Sequence, residues 1–287
     1  MSPEEIISFF VKRGHRVVQT AGCWWYDEYR QNRVYNSFPP HRLTDPTREE
    51  IGQIFRGVPA ALAIRFTGPP RSRGDESFIW ARRKPYDLTV LSSKSRNQTR
   101  RGIERCQVKR LSWDELLKLA GEAHSDTMKR HGTNGAESLG FDIQLSECPA
   151  YEPWGAYIDG RLAAYAVTLQ VEDWVHILLH RSVTAHLKVR PNNALIFCMV
   201  KELLSSPGVS AVGYGLQPLT RLDSLEHFKL GMGFVKEPVC QHIVWAPRLK
   251  LLVNPITSRG VEALASLLPG VPRLQKIAGL CRLARNG

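Results

Sequence analysis

The chain has 287 residues, 43% of them hydrophobic and 23% charged, with a formal net charge of +12 and a pI near 9.6. That composition belongs to a folded protein of one large domain or two ordinary ones, and it contains no apolar run of roughly 18 residues that would span a membrane. The positive balance favours a polyanionic partner (RNA, DNA, a nucleotide cofactor or an acidic membrane surface), against the plainer reading of a solvated basic surface.

Six cysteines, at 23, 106, 148, 198, 240 and 281, are scattered without a Cys-x-x-Cys pair, so neither a zinc site nor a disulfide framework is expected. The nine histidines are dispersed too. His176 and His180 stand four apart in a segment that reads as a strand, which predicts both on one face with no third metal ligand nearby. The opening MSPEEIISFF carries two glutamates where a secretion signal needs a basic region, so a cytoplasmic protein is expected.

In chain order, Ser2-Pro3-Glu4-Glu5 predicts a capped helix that ends near Arg13-Gly14. Residues 16–20 and 23–26 read as strands. The adjacent Trp24 and Trp25 must point to opposite faces, one of them a stacking surface or a face covered by a loop over 35–40. Thr47 to Glu50 starts a second helix, and 60–66, 77–82 and 86–91 read as strands around a basic loop at 68–74. Residues 92–110 form the most basic stretch, with Lys94, Arg96, Arg100, Arg101 and Arg105 on a predicted helix against one acid, Glu104. Ser112 opens another capped helix, running to about Lys129, and 132–153 reads as a loop. A meander follows: 154–158, the turn Asp159-Gly160, 161–170, and 174–183. The next helix, from Ala194, is apolar nearly all round and therefore buried. Asn192 or Asn193 is its expected N-cap, and its N-terminus is a natural anion site. Strands are expected at 209–214 and 235–245, then two helices, the second basic on one side, which fits packing on its own domain, an acidic membrane surface or RNA.

Between those last two strands lies GYGLQPLTRLDSLEHFKLGMGF, residues 213–234. Thr220 to Asp223 reads as a capping box, Leu222, Leu225 and Phe228 as one apolar face with Lys229 at its edge, and Gly231 and Gly233 as the stop. Phe228-Lys229-Leu230-Gly231-Met232-Gly233-Phe234 resembles the Phe-Lys-x-x-x-Gly-Phe signature of the FemABX-like transferases, a branch of the GNAT acyltransferase fold. Ser93-Lys94-Ser95-Arg96 leading to Arg100-Arg101 resembles the linker helix of the same proteins.

The resemblance implies an α/β (α+β) chain with a GNAT-like, mixed and mostly antiparallel central sheet flanked by helices. It implies a truncated N-terminal GNAT-like half at 1–91, a basic linker helix at 92–110, a C-terminal acyltransferase domain at 111–247 and a helical tail at 248–287. It implies an N-acyltransferase that moves an aminoacyl group from aminoacyl-tRNA, with no permanently bound cofactor and no metal, to an amine on a peptide or small molecule. Lys229 would stabilise the oxyanion and Phe228 would wall the acyl pocket. Tyr214 and Asp223 would steer the amine or relay its proton. Arg190, Asn192 and Asn193 would hold donor phosphate, and Lys94, Arg96, Arg100, Arg101 and Arg105 would contact RNA or another anion. Two other readings stay open: acyl-CoA as donor, disfavoured because no Gly stands between Arg181 and Ser206 to wrap a pyrophosphate, and a non-catalytic nucleic-acid-binding protein on the same scaffold.

Overall fold

A computed structural model describes residues 1–27, 33–70, 76–130, 145–218, 223–249, 253–268, 271, 274 and 277–281. The chain divides into two compact units that interleave in sequence. One holds Met1, Trp80–Gly215 and Asp223–Val235; the other holds Ser2–Ile79, Leu216–Leu222 and Lys236–Gly287. Among the described residues no helix is long and apolar enough to cross a membrane. The predicted stretches at 71–74 and 132–144, and Thr220 to Leu222, lie outside the described residues.

The unit that begins at Ser2 opens with α1 (Pro3–Lys12), where the Ser2 hydroxyl accepts from Glu5 N and the Glu5 carboxylate accepts from Ser2 N. Strands β1 (Val17–Gln19), β2 (Trp24–Tyr26) and β3 (Val34–Phe38) form an antiparallel meander. β3 runs parallel to β4 (Ala63–Gly68), and β4 pairs antiparallel with β11 (Val235–Trp245). The predicted loop at 35–40 is thus mostly strand β3, and Trp25 is fully buried against it in a cluster with Tyr35, Ile54, Ile64 and Phe66. Ile54 belongs to α2 (Arg48–Gly57), which starts at Thr47 as predicted, through a Thr47–Glu50 capping box.

The other unit carries the last residues of β5 (Glu76–Arg83), from Trp80 on. Residues 86–91, predicted as a strand, instead hold a single 3-10 turn, Leu88–Val90, begun by the Asp87 carboxylate accepting from Thr89 N. The basic helix α3 (Ser93–Arg105) stops earlier than predicted, because Gln107–Arg110 is drawn into strand β6 beside β7. The predicted long helix breaks at Ala120 into α4 (Trp113–Leu119) and α5 (Gly121–Arg130). The meander β7 (Tyr151–Ile158), β8 (Arg161–Val171) and β9 (Trp174–Ser182) forms as predicted, with Asp159 and Gly160 both at positive φ, 49° and 76°. A turn with two left-handed residues matches the right-handed twist of the strands it joins.

β10 (Ala211–Leu216) then pairs parallel with β9, Ala211 through Gly213 facing Trp174 through His176. The mixed, mostly antiparallel sheet flanked by helices is therefore present. α6 (Pro191–Ser205), with ten buried residues from Pro191 to Leu204, packs on β7 and β8. Its cap is Arg190, at φ 69°, with Pro191 in the first turn, so neither Asn192 nor Asn193 is the N-cap. α7 (Asp223–Gly231) follows, and Gly233, at φ 81°, turns the chain out of it.

Gly102 of α3 seats that helix on the start of α6. A Cβ placed there would lie 2.7 Å from the Arg190 carbonyl oxygen and 3.2 Å from Ala194 Cβ. Alanine is the better helix former by about 1 kcal/mol, yet here the obstacle is backbone that cannot rotate aside. Gly102→Ala should therefore destabilise the protein by about 1–3 kcal/mol in a denaturant titration. Unchanged or raised stability would show that the two helices are free to move apart.

Candidate functional site

The site is built from one bulge. Along β8 and β9 the register slips between Val167 and Thr168: Val167 faces Leu179, whereas Thr168 faces Ile177, which leaves Leu178 as the extra residue. Side chains alternate across a strand, so one inserted residue reverses the alternation beyond it. His176 and His180 consequently fall on opposite faces, not on one as predicted. His176 stacks on Trp174, 5.7 Å between centroids, over Gly213, whose missing Cβ would sit 2.9 Å from its Nδ1. His180 is turned to the face that carries Tyr214.

There the Tyr214 hydroxyl and His180 Nδ1 are 2.6 Å apart, and His180 Nε2 is 3.1 Å from Asn192 Oδ1. Asn192 Nδ2 in turn donates to Ser182 Oγ at 3.3 Å. An amide oxygen only accepts, so Nε2 carries the imidazole proton and Nδ1 is left to accept from the tyrosine hydroxyl. Enclosure of the ring pushes the His180 pKa down to about 4, which keeps the imidazole neutral near pH 7 with Nδ1 unprotonated. Burial pushes the Tyr214 phenol up, so it remains protonated.

Lys229 sits on the same group of residues. It is buried, 6% exposed, and its ammonium donates to the Tyr214 carbonyl oxygen at 2.6 Å. Nζ also stands 4.5 Å from the Tyr214 ring centroid and 5.7 Å from that of Trp80. Gly215, at φ 81°, interrupts the extended geometry of β10 immediately after Tyr214. Burial lowers the Lys229 pKa to about 8, partly offset by the Glu226 carboxylate. The ammonium is thus not at the edge of an apolar face but on the inward side of α7, while Leu230 beside it is 49% exposed. Phe228 is half-buried with its ring 6.0 Å from that of His180. Gly231 owes its place to close approach: a Cβ there would meet Ser95 Oγ at 2.4 Å.

The structure therefore brings together Lys229, Tyr214 and Phe228, and adds two residues in unexpected roles, His180 and Asn192. Asp223 does not join them. It is exposed in the first turn of α7, about 9 Å along the helix axis from Lys229, and its carbonyl accepts from His227. Asn193 is buried with its amide against Met232 Sδ at 3.4 Å, and Arg190 is exposed at the cap of α6. Lys94, Arg100, Arg101 and Arg105 are exposed on α3, whereas Arg96 donates to the Thr89 and Leu91 carbonyls.

His180 offers a direct readout of this geometry. Its folded pKa lies below that of a free imidazole, about 6.5, so the unfolded chain takes up the proton first as the pH falls. Its contribution to stability is present above pH 6.5 and lost between there and about 4. Replacing His180→Gln should flatten that acid limb in melting curves collected across the window. A wild-type curve already flat between those values would contradict the enclosed, neutral ring.

No protein-family model matches the chain, and no curated protein matches its sequence. Solved structures match in shape. FemX covers 86% of this chain over 93% of its own, at 11% identity and a TM-score of 0.60. L-PGS from Bacillus licheniformis covers 89% over 95% of its own, at 13% identity and a TM-score of 0.54. The C-terminal domain assigned to a lysylphosphatidylglycerol synthetase of Agrobacterium fabrum covers 82% over 85%, at 15% identity and a TM-score of 0.51. At such identities the likeness is one of fold: the chain has the GNAT-like fold in the form it takes in FemX, as the resemblance around Phe228-Lys229 implied.

Proposed function

We propose that this chain is an N-acyltransferase that moves an aminoacyl group from the 3′ end of an aminoacyl-tRNA to an amine on a peptide or small molecule. The observation that carries the reading is the buried Lys229 ammonium, fixed by the Tyr214 carbonyl within reach of the Tyr214–His180 pair.

Each residue then has a task. The acceptor nitrogen attacks the ester carbonyl, a C–N bond forms, and negative charge gathers on the carbonyl oxygen. The Tyr214 carbonyl uses one of the three N–H donors of Lys229. The others stabilise that oxygen, and a buried, oriented ammonium needs little reorganisation to do so. The nitrogen must lose a proton. The Tyr214 oxygen takes it as the hydroxyl's own proton passes to His180 Nδ1, and Asn192 holds the ring in the tautomer that leaves Nδ1 free. The C–O bond to the ribose breaks, and the proton returns by the same path to the departing oxygen. Phe228 walls the acyl group. The exposed bases of α3, with Arg190 at the neighbouring start of α6, face the phosphates of the donor.

The test uses radiolabelled aminoacyl-tRNA, with the low-molecular-weight and peptide fractions of a cell extract as acceptors, following label that moves from RNA into amide. Lys229→Met should reduce transfer on the order of a hundredfold, as loss of one oxyanion donor does elsewhere. Because a buried ammonium is costly to desolvate, the same variant should melt no lower than the wild type at pH 7. Transfer at the wild-type rate in Lys229→Met removes the lysine from the mechanism. Thermal stabilisation by acetyl-CoA and not by tRNA moves the donor to a thioester.

A second consequence concerns pH. The oxyanion is served only by protonated Lys229, so its contribution is complete below about pH 8 and is lost above. With saturating substrates the transfer rate should descend with an apparent pKa near 8. A rate that continues to climb to pH 10 would show that the ammonium is not required.

A further inference from the structure

The helix that begins at Pro255 turns the wrong side to water. α8 (Pro255–Leu267) starts at Asn254, whose side-chain oxygen accepts from Ile256 N and Thr257 N. At 3.6 residues per turn, Ile256, Gly260, Ala263, Leu264 and Leu267 fall within roughly 100° of arc, the width of the apolar stripe that ordinarily faces a core. Here the stripe is outside. Ile256 is 81% exposed, Leu267 76% and Leu264 48%, while the small residues Ser258 and Ala265 on the far side are 5% and 3% exposed. A helix that buries serine and alanine and presents isoleucine and leucine is folded for something that covers it.

The charge of the surrounding chain says what that is. Arg259 stands exposed on the flank of the stripe. From residue 246 to the end of the chain basic residues outnumber acidic ones, and Glu262 is the one acid of the stretch. Glu262 lies on the side away from the stripe. An apolar face flanked by an arginine, in a chain of net charge +12, lies flat in the interface of an anionic bilayer: the aliphatic side chains enter the acyl boundary and the cation stays among the headgroups. A second copy of this chain would bring a like-charged surface against the same face, which works against pairing.

We propose that the Ile256–Leu264–Leu267 face of α8 docks the protein on an anionic lipid surface. Docking does not depend on the Lys229 chemistry, and the two stand or fall separately. It would confine the enzyme to acceptors that reside at, or partition to, a membrane.

Flotation of the full chain with vesicles tests it, using phosphatidylcholine alone and phosphatidylcholine mixed with phosphatidylglycerol in about equal parts. The protein should rise with the anionic vesicles and stay behind with the neutral ones. The double variant Ile256→Glu, Leu267→Glu should weaken that association at least about tenfold, and its melting temperature should match the wild type because both positions are exposed. Leu264→Gln is a milder substitution with the same expected direction. Absence of flotation, or equal flotation of the double variant, overturns the proposal. So does a wild-type dimer in sedimentation that the double variant reduces to monomers, which would assign the face to a second copy.

Discussion

Burying an ammonium is the constraint on which the site depends. A lysine removed from water loses hydration that a single carbonyl replaces only in part, and its proton affinity falls. Lys229 shows both effects, with its Nζ held on the Tyr214 carbonyl and its pKa brought down to about 8. An amphipathic surface helix has no reason to turn such a residue inward and leave the neighbouring Leu230 half exposed. The inversion is unfavourable for folding, and a cost of that kind is what the proposed oxyanion role of Lys229 would account for.

The carbonyl that receives Lys229 is available because of its surroundings in β10. Gly213 makes room for His176 on one face of the strand, Tyr214 presents its ring and hydroxyl to the other, and Gly215, at positive φ, kinks the strand immediately after. The ladder between β9 and β10 runs from Ala211 to Gly213, immediately before Tyr214. On β9 the bulge at Leu178 lies just past the same point. Buried main-chain groups must find a partner. For the Tyr214 carbonyl that partner is Lys229.

Much of the scaffold could be read from local signals. The capping boxes at Ser2, Thr47 and Ser112, the two-residue turn at Asp159-Gly160 and the apolar run after Ala194 each act through neighbours in sequence, and each element stands where its signal lies. The Phe228-Lys229 motif pointed to α7, and the structure sets Tyr214 across from it. Where the reading failed, the cause was distant. Nothing in residues 107–110 says that β7 will draw them from helix to strand, and nothing local distinguishes Asn192 as an amide for a histidine from Asn192 as a helix cap. The one signal for His180 was its place as a second histidine after the apolar run Ile177 to Leu179.

His180 shows why such a site is hard to derive from spacing alone. Four residues apart on a regular strand means one shared face, and the two histidines invite a metal-site reading on that geometry. One inserted residue cancels the rule. Leu178 takes no partner in the β8–β9 register, so His176 becomes a core residue stacked on Trp174 while His180 reaches Tyr214 and Asn192. The bulge thus does for the His180 side chain what Gly215 does beside the Tyr214 carbonyl: it breaks a repeating pattern once, at the candidate site. The regular part of the sheet supplies rigidity, and the two irregular residues supply aim.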